Sequence, residues 1–190
     1  FGNVLGSNGS VIPIFHNQIS KGGPVTLTDK NMTRFVMSVE EAVELVLNSV
    51  IEAKGGEVFV TKMPVMRIED LATAMIEEIC PEKMEVIEIG SKPGEKLYEE
   101  LMSDEETRRT IELDKFFSVL PAFRGIYSDI NYNYSAIVSE LVEDPYVSEQ
   151  QIPLTVKEVK DFLRNNKLLL DDIGSEQDTR YWPGDKEEKV

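Results

Sequence analysis

The stretch FGNVLGSNGSVIPIF, residues 1–15, places a short strand directly before a glycine- and serine-rich turn and a helix. Residues 1–4 have the composition of a strand. Ser10 is a suitable N-cap for a helix that runs to Lys21, with Pro13 in its first turn. Because a natural domain rarely begins in mid-strand without a starting Met, we expect this opening to be the middle of a fold whose earlier part lies upstream.

Strand and helix patterns continue to alternate along the chain without an internal repeat. Runs of β-branched and aromatic residues predict short strands over 25–28, 57–60, 85–90 and 116–120. Apolar residues at helical spacing predict helices after the cap Ser38, over 68–76, over 95–102 and over 155–163. This alternation predicts an α/β or α+β fold rather than a solenoid.

The helix that Ser38 caps has one pronounced apolar face. Its acidic start also suits the helix dipole, and a glycine pair at 55–56 ends it. The apolar face consists of Ala42, Val43, Leu45, Val46, Val50 and Ile51.

Composition restricts the classes of partner. The net charge of -15 argues against nucleic acid or an anionic membrane surface as the main partner, because these need clustered Lys and Arg. A small phosphorylated ligand needs only a few well-placed cations and stays compatible with this charge. Cys80 is the single cysteine, so the chain has no internal disulfide framework or thiolate metal site, and a reduced, cytoplasmic setting is expected. No run approaches the roughly 18 apolar residues of a membrane span.

Glycines near the start of the first helix, Gly6 and Gly9, would let backbone amides approach a phosphate or a flat ring closely. An ordinary strand-to-helix turn explains them at least as well. The chain contains neither G-x-G-x-x-G nor a Walker pattern, so it carries no dinucleotide fingerprint.

Two further segments place charges where an anion could bind. Arg34, in residues 31–35, can direct two donors at a diphosphate, although a surface Arg paired with a nearby Glu is a serious alternative. Lys92 and Glu95 follow the strand that ends at Gly90, and α/β folds bind ligands in such loops. Lys92 would meet a phosphate and Glu95 a ribose; the alternative is a plain helix start.

The residues by themselves suggest no catalytic set. His16, the single histidine, is expected on a helix flank with no nucleophile beside it. Tyr98 is expected to pack rather than to catalyse, and the carboxylates are too many and too scattered to identify an acid/base pair. The residues therefore predict a site suited to an anion, without visible catalytic or metal-binding groups.

Taken in order, four segments resemble a known family. They are residues 1–4, 9–13, 28–35 and 94–99. This combination is similar to the carboxyl-terminal half of the polysaccharide-biosynthesis nucleotide-sugar dehydratases and epimerases, which belong to the extended short-chain dehydrogenase/reductase group. It most resembles the UDP-N-acetylglucosamine 4,6-dehydratases. The resemblance is dense over residues 1–120 and thin thereafter.

The resemblance implies a Rossmann domain that holds NAD or NADP, and a smaller region that closes over a UDP-sugar. Residues 1–120 would be the substrate-binding half with the last Rossmann strands, 121–170 an extension with one helix, and 171–190 a flexible acidic tail. The family oxidises the sugar at C4 with the nicotinamide, eliminates water across C5 and C6, and returns the hydride to C6. Its cofactor loop and Tyr-x-x-x-Lys pair precede the G-N-V run and are missing here. A cytoplasmic homo-oligomer is implied for the parent enzyme.

The resemblance also implies the contacts with the substrate. Asn3 of the G-N-V run and Arg34 of the M-T-R-F run would reach the UDP moiety. Lys92 stands where the family commonly has an Arg near the diphosphate, so it keeps the charge and loses the bidentate fork. Glu95 would face the uridine ribose. The segment beside the uracil would consist of Val11, Ile12 and Pro13.

Two classes of function stay open at this point. The first is the substrate-binding half of a UDP-sugar 4,6-dehydratase or 4-epimerase, which would bind UDP and be unable to turn over alone. The second is a self-standing acidic interaction module that kept an enzyme's ancestry and has no affinity for nucleotides. The ordered motifs favour the first class.

Overall fold

The computed structural model describes residues 1–6, 10–80, 83–91, 93–123 and 125–169. The acidic segment expected at 171–190 lies outside the described residues. Within the described ranges the helices are Val11–Ser20 (α1), Val39–Glu52 (α2), Ile68–Ile79 (α3), Asp104–Thr107 (α4) and Val156–Asn165 (α5). The strands are Asn3–Val4 (β1), Val25–Leu27 (β2), Thr33–Met37 (β3), Val58–Thr61 (β4), Val65–Arg67 (β5), Val86–Glu88 (β6), Glu100–Met102 (β7), Thr110–Leu113 (β8), Phe116–Val119 (β9), Ile137–Ser139 (β10) and Tyr146–Val147 (β11).

The strands form small sheets of mixed direction. One has the order β1-β3-β5, in which β1 is parallel and β5 antiparallel to β3. A second is the parallel pair β2-β6, and a third is the antiparallel pair β11-β7. The largest is antiparallel, with the order β10-β8-β9-β4. The predicted mixed α/β class is therefore confirmed.

The main core lies between the helices α1, α3 and α5 and the strands β2, β3 and β5. Helical spacing places Ile12 and Phe15 of α1, Met75 of α3, and Val159 and Leu163 of α5 in one buried cluster. Each of these side chains is at most 1% exposed. The packing of α5 on α3 therefore brings the chain after residue 121 back to its first half.

Local capping signals correctly predict the starts of α2 and α5, whereas Ser10 precedes α1 without forming a side-chain capping bond. In α2, Ser38 Oγ accepts a hydrogen bond from the Glu41 amide at 3.1 Å, and the Ser38 amide donates to the Glu41 carboxylate at 2.7 Å. Thr155 and Glu158 form the same reciprocal pair at the start of α5. Both capping boxes join residues three positions apart, so they can be recognised without the tertiary structure.

The helix predicted over 95–102 is wrong. The segment before β7 is not helical, and β7 itself pairs with β11. The Thr33 amide donates to the Leu97 carbonyl at 3.0 Å, and the Ser148 amide donates to the Glu99 carbonyl at 2.8 Å. These bonds to distant segments replace the i to i−4 bonds of a helix, so tertiary pairing overrides the local helical pattern.

Among the described residues, every helix falls short of the length or apolar composition that a bilayer crossing requires.

Candidate functional site

The loop before β7 brings one carboxylate against two strands. Glu99 Oε1 accepts a hydrogen bond from Asn3 Nδ2 at 3.0 Å, and Glu99 Oε2 accepts one from the Phe35 amide at 3.1 Å. Asn3 belongs to β1 and Phe35 to the adjacent parallel strand β3. The carboxylate of Glu99 therefore bridges the two strands and orients the Asn3 amide.

Arg34 lies beside this carboxylate, on β3. Its Nη1 donates to the Thr33 carbonyl at 2.8 Å and its Nη2 to the Lys96 carbonyl at 2.6 Å, while Nε is 3.9 Å from Glu99 Oε1. The Arg34 side chain is 18% exposed. The pairing with a Glu that the sequence left as an alternative is thus present, yet a guanidinium has five N–H donors and can still engage an anion.

Glu95 contacts Thr28, which lies at the carboxyl end of β2. Thr28 Oγ1 donates to Glu95 Oε1 at 3.1 Å. Thr28 directly follows β2, and Glu95 lies in the loop after β6, which pairs in parallel with β2. Because parallel strands direct their carboxyl ends to the same edge, the two loops leave the sheet together. Lys92 lies outside the described residues.

Ser148, a buried serine from late in the chain, contacts both Thr33 and Glu99 and so supports the site. Ser148 Oγ is 2.8 Å from Thr33 Oγ1 and accepts a hydrogen bond from the Glu99 amide at 2.9 Å. Ser148 is fully buried, and Thr33 is only 7% exposed. Thr33 and Ser148 are 115 positions apart in the sequence, so no local sequence pattern could have predicted this contact.

The predicted uracil segment forms the first turn of α1. Ile12 is fully buried in the main core, whereas Val11 and Pro13 are half-buried. Since the Ile12 side chain packs inside the protein, a ligand next to this turn would meet Val11, Pro13 or the backbone.

A cavity of about 270 Å³ adjoins the Arg34 side of the site. Its lining includes Lys96, whose carbonyl binds Arg34, and Tyr98, which is 42% exposed. A larger open cleft of about 570 Å³ lies between Lys62 and Tyr146, and none of the predicted contacts lines it. Two of the predicted contacts, Asn3 and Arg34, therefore meet at Glu99, whereas Glu95 contacts Thr28 instead.

Comparison with known proteins supports a family. The family described as polysaccharide biosynthesis protein matches residues 1–121. A protein of Methanocaldococcus jannaschii, named as an uncharacterized membrane protein, is 46% identical over 165 residues, which are 84% of this chain and 48% of that protein. The UDP-glucose 4-epimerase of Rickettsia massiliae is 39% identical over 180 residues, which are 93% of this chain and 50% of that protein.

The fold has a counterpart among solved structures. The X-ray structure of Pen from Bacillus thuringiensis superposes with a TM-score of 0.79 at 39% sequence identity, over 89% of this chain and 49% of that one. The chain thus spans about half the length of the relatives it matches. Since the family match covers well over half of the residues, this chain belongs to the polysaccharide biosynthesis protein family of nucleotide-sugar epimerases and dehydratases.

Proposed function

We propose that this chain is the UDP-sugar-binding half of an NAD(P)-dependent nucleotide-sugar-modifying enzyme of surface polysaccharide biosynthesis. The observation that carries the proposal is the cluster of Asn3, Arg34 and Glu99. These residues come from three separate segments, and each belongs to a segment that resembles the family. Such a cluster offers an amide and a guanidinium, which suit a diphosphate and a uridine.

In this proposal each contact has a separate task. Arg34 and Lys92 neutralise the diphosphate, and Asn3 donates to the nucleotide through the amide that Glu99 orients. Glu95 accepts from the ribose hydroxyls, close to Thr28. The first turn of α1, residues 11–13, lies beside the uracil.

The nicotinamide cofactor belongs, in this proposal, to the remainder of the enzyme. The sequence contains neither a G-x-G-x-x-G loop nor a Tyr-x-x-x-Lys pair, so its residues do not fit the cofactor. β1 and β3 would be the last strands of the Rossmann sheet. A cytoplasmic setting, a homo-oligomeric parent, and the division at residues 120 and 170 are part of the same proposal.

Two reactions are candidates for the parent enzyme. The order of the motifs favours a 4,6-dehydratase, whereas the Rickettsia relatives are named UDP-glucose 4-epimerases. Mass spectrometry of the complete enzyme with UDP-N-acetylglucosamine and with UDP-glucose separates them. A dehydratase releases one water and lowers the mass of the sugar nucleotide, whereas an epimerase leaves its mass unchanged and alters only its retention.

Calorimetric titration of the folded chain with UDP and with UDP-N-acetylglucosamine tests the binding proposal. We expect binding of both ligands, and Arg34→Ala should weaken it by more than about tenfold, the scale of a lost charged hydrogen bond. Arg164→Ala is the matched control, because it removes the same charge from α5, where Arg164 pairs with Glu78.

Unchanged affinity in the Arg34→Ala protein would contradict the proposed role of this residue. If neither the folded chain nor the complete parent polypeptide binds UDP, the result would instead favour the acidic interaction module.

A further inference from the structure

The prediction that the apolar residues of α2 share one face is wrong, because Leu45 is buried on one side of the helix while most of the others are exposed on the opposite side. Only Leu45 of this helix is fully buried, at 6% exposure. Six other large apolar side chains are between 48% and 76% exposed, and we call them the docking face: Val39, Val43, Val46, Leu47, Val50 and Ile51.

The docking face is one continuous surface. At 100° per residue, its six side chains fall within an arc of about 140°, and Leu45 lies on roughly the opposite side. The capping box of Ser38 and Glu41 fixes the start of the helix, so these positions are those of a regular helix. By contrast, α5 buries both Val159 and Leu163 against its neighbours. A contiguous exposed apolar face of this kind marks an interaction surface.

The lengths of the relatives indicate what covers this face. This chain accounts for 48% to 50% of the proteins that it matches, so each of them contains as much polypeptide again. We propose that the docking face is where the other half of the same enzyme packs, an inference that rests on the proposed function.

The position of the docking face also connects it with the site. β3 carries Arg34 and ends at Met37, and Ser38 then caps α2 without an intervening loop. Packing of the second half on α2 therefore places it beside the strand that contacts the nucleotide. Glu40 falls within the arc at the start of the helix and Glu44 lies just past its edge, so both predict basic residues on the covering surface.

Thiol labelling measures whether the face is covered. Val50→Cys is made in a Cys80→Ser background, both in this chain and in the complete polypeptide that its gene encodes. In the complete polypeptide the new thiol should react with a maleimide at least about tenfold more slowly, as expected for a site that opens only transiently. Lys157→Cys, on the exposed side of α5, should react at the same rate in both.

Three results would overturn the proposal. The first is an equal rate for Val50→Cys in the two proteins, and the second is a gene that encodes no further half. The third is protection in the 190-residue chain that rises with its concentration, which would assign the face to a second copy. UDP titration of the same samples distinguishes the two proposals: UDP binding with equal thiol rates removes only the docking proposal, whereas slow labelling without UDP binding removes only the proposed function.

Discussion

Asn3 and Glu99 are separated by 96 positions in the sequence, yet the Asn3 amide donates a 3.0 Å hydrogen bond to the Glu99 carboxylate. The other carboxylate oxygen accepts from the Phe35 amide. Glu99 was not among the residues predicted from the sequence to contact the substrate. In the structure it is the residue that joins the predicted contacts Asn3 and Arg34.

A double-mutant cycle measures this relationship. Asn3→Ala and Glu99→Ala should each destabilise the chain, and their combined effect should be smaller than the sum by about 1 kcal/mol, since the two residues share one hydrogen bond. Urea unfolding of the four proteins supplies the free energies. Strict additivity would show that the Asn3–Glu99 bond contributes nothing to stability.

Ser148→Ala should destabilise the chain by about 1–3 kcal/mol, because it leaves the half-buried Glu99 amide and the buried Thr33 hydroxyl without their partner. Denaturant unfolding provides the measurement. Ser128→Ala is the control, since Ser128 is exposed and its bond to Asp129 is long, at 3.4 Å; it should change the stability by less than about 0.5 kcal/mol. Equal stabilities of the two variants would contradict the anchoring role of Ser148.

Burial, together with the nearby Glu57 carboxylate, raises the pKa of Tyr134 to about 12 from its ordinary value of 10.0. The folded state therefore favours the neutral phenol, so this contribution to stability is present below pH 10.0 and is lost as the pH rises towards 12. Absorbance titration of the phenolates should show a late component that Tyr134→Phe reduces, and Tyr146, whose pKa is also raised by burial, accounts for the remainder. Above a pH of about 11, tyrosines with an ordinary pKa are already ionised, so a change in absorbance there reports the late groups. If Tyr134→Phe leaves the curve unchanged in this range, the raised pKa of Tyr134 is contradicted.

The contribution of Glu106 to stability depends on pH in the opposite direction to that of Tyr134. The hydrogen bond from the Ser103 amide, at 2.8 Å, holds the pKa of Glu106 below its ordinary value of 4.5. Its contribution to stability is therefore present above pH 4.5 and is lost as the pH falls through the lowered pKa. Glu106→Gln should lower the free energy of unfolding at pH 7 by about 0.5–1 kcal/mol, with a smaller difference in acid. Glu105→Gln is the control for loss of the charge, because Glu105 is 67% exposed and pairs with Arg109 as Glu106 does, whereas Glu106 in addition accepts the hydrogen bond from the Ser103 amide.

The elements that could be predicted from the sequence depend on bonds between near neighbours. Ser38 with Glu41, and Thr155 with Glu158, are three positions apart, and both mark helix starts that the structure contains. The short strands β2 and β9 likewise follow from runs of β-branched and aromatic residues. The resemblance of the ordered motifs identified the family, and its match covers residues 1–121.

The prediction over residues 95–102 failed because its competing bonds are not local. Its apolar and charged residues have helical spacing, but the Lys96 carbonyl accepts from Arg34 across 62 positions. Helix propensity depends on neighbouring residues only and cannot predict a hydrogen bond between residues so far apart.

The sequence by itself determined the mixed α/β class, the capped helices and the family of this chain, since these depend on periodicity, neighbours three residues apart and ordered motifs. Only the tertiary structure decided that Glu99 joins Asn3 to Arg34, and that Ser148 supports them. It also decided that α2 buries Leu45 and leaves the docking face on its opposite side exposed. The physical reason is that these contacts form between segments far apart in the chain, whose approach is set by the packing of the whole fold.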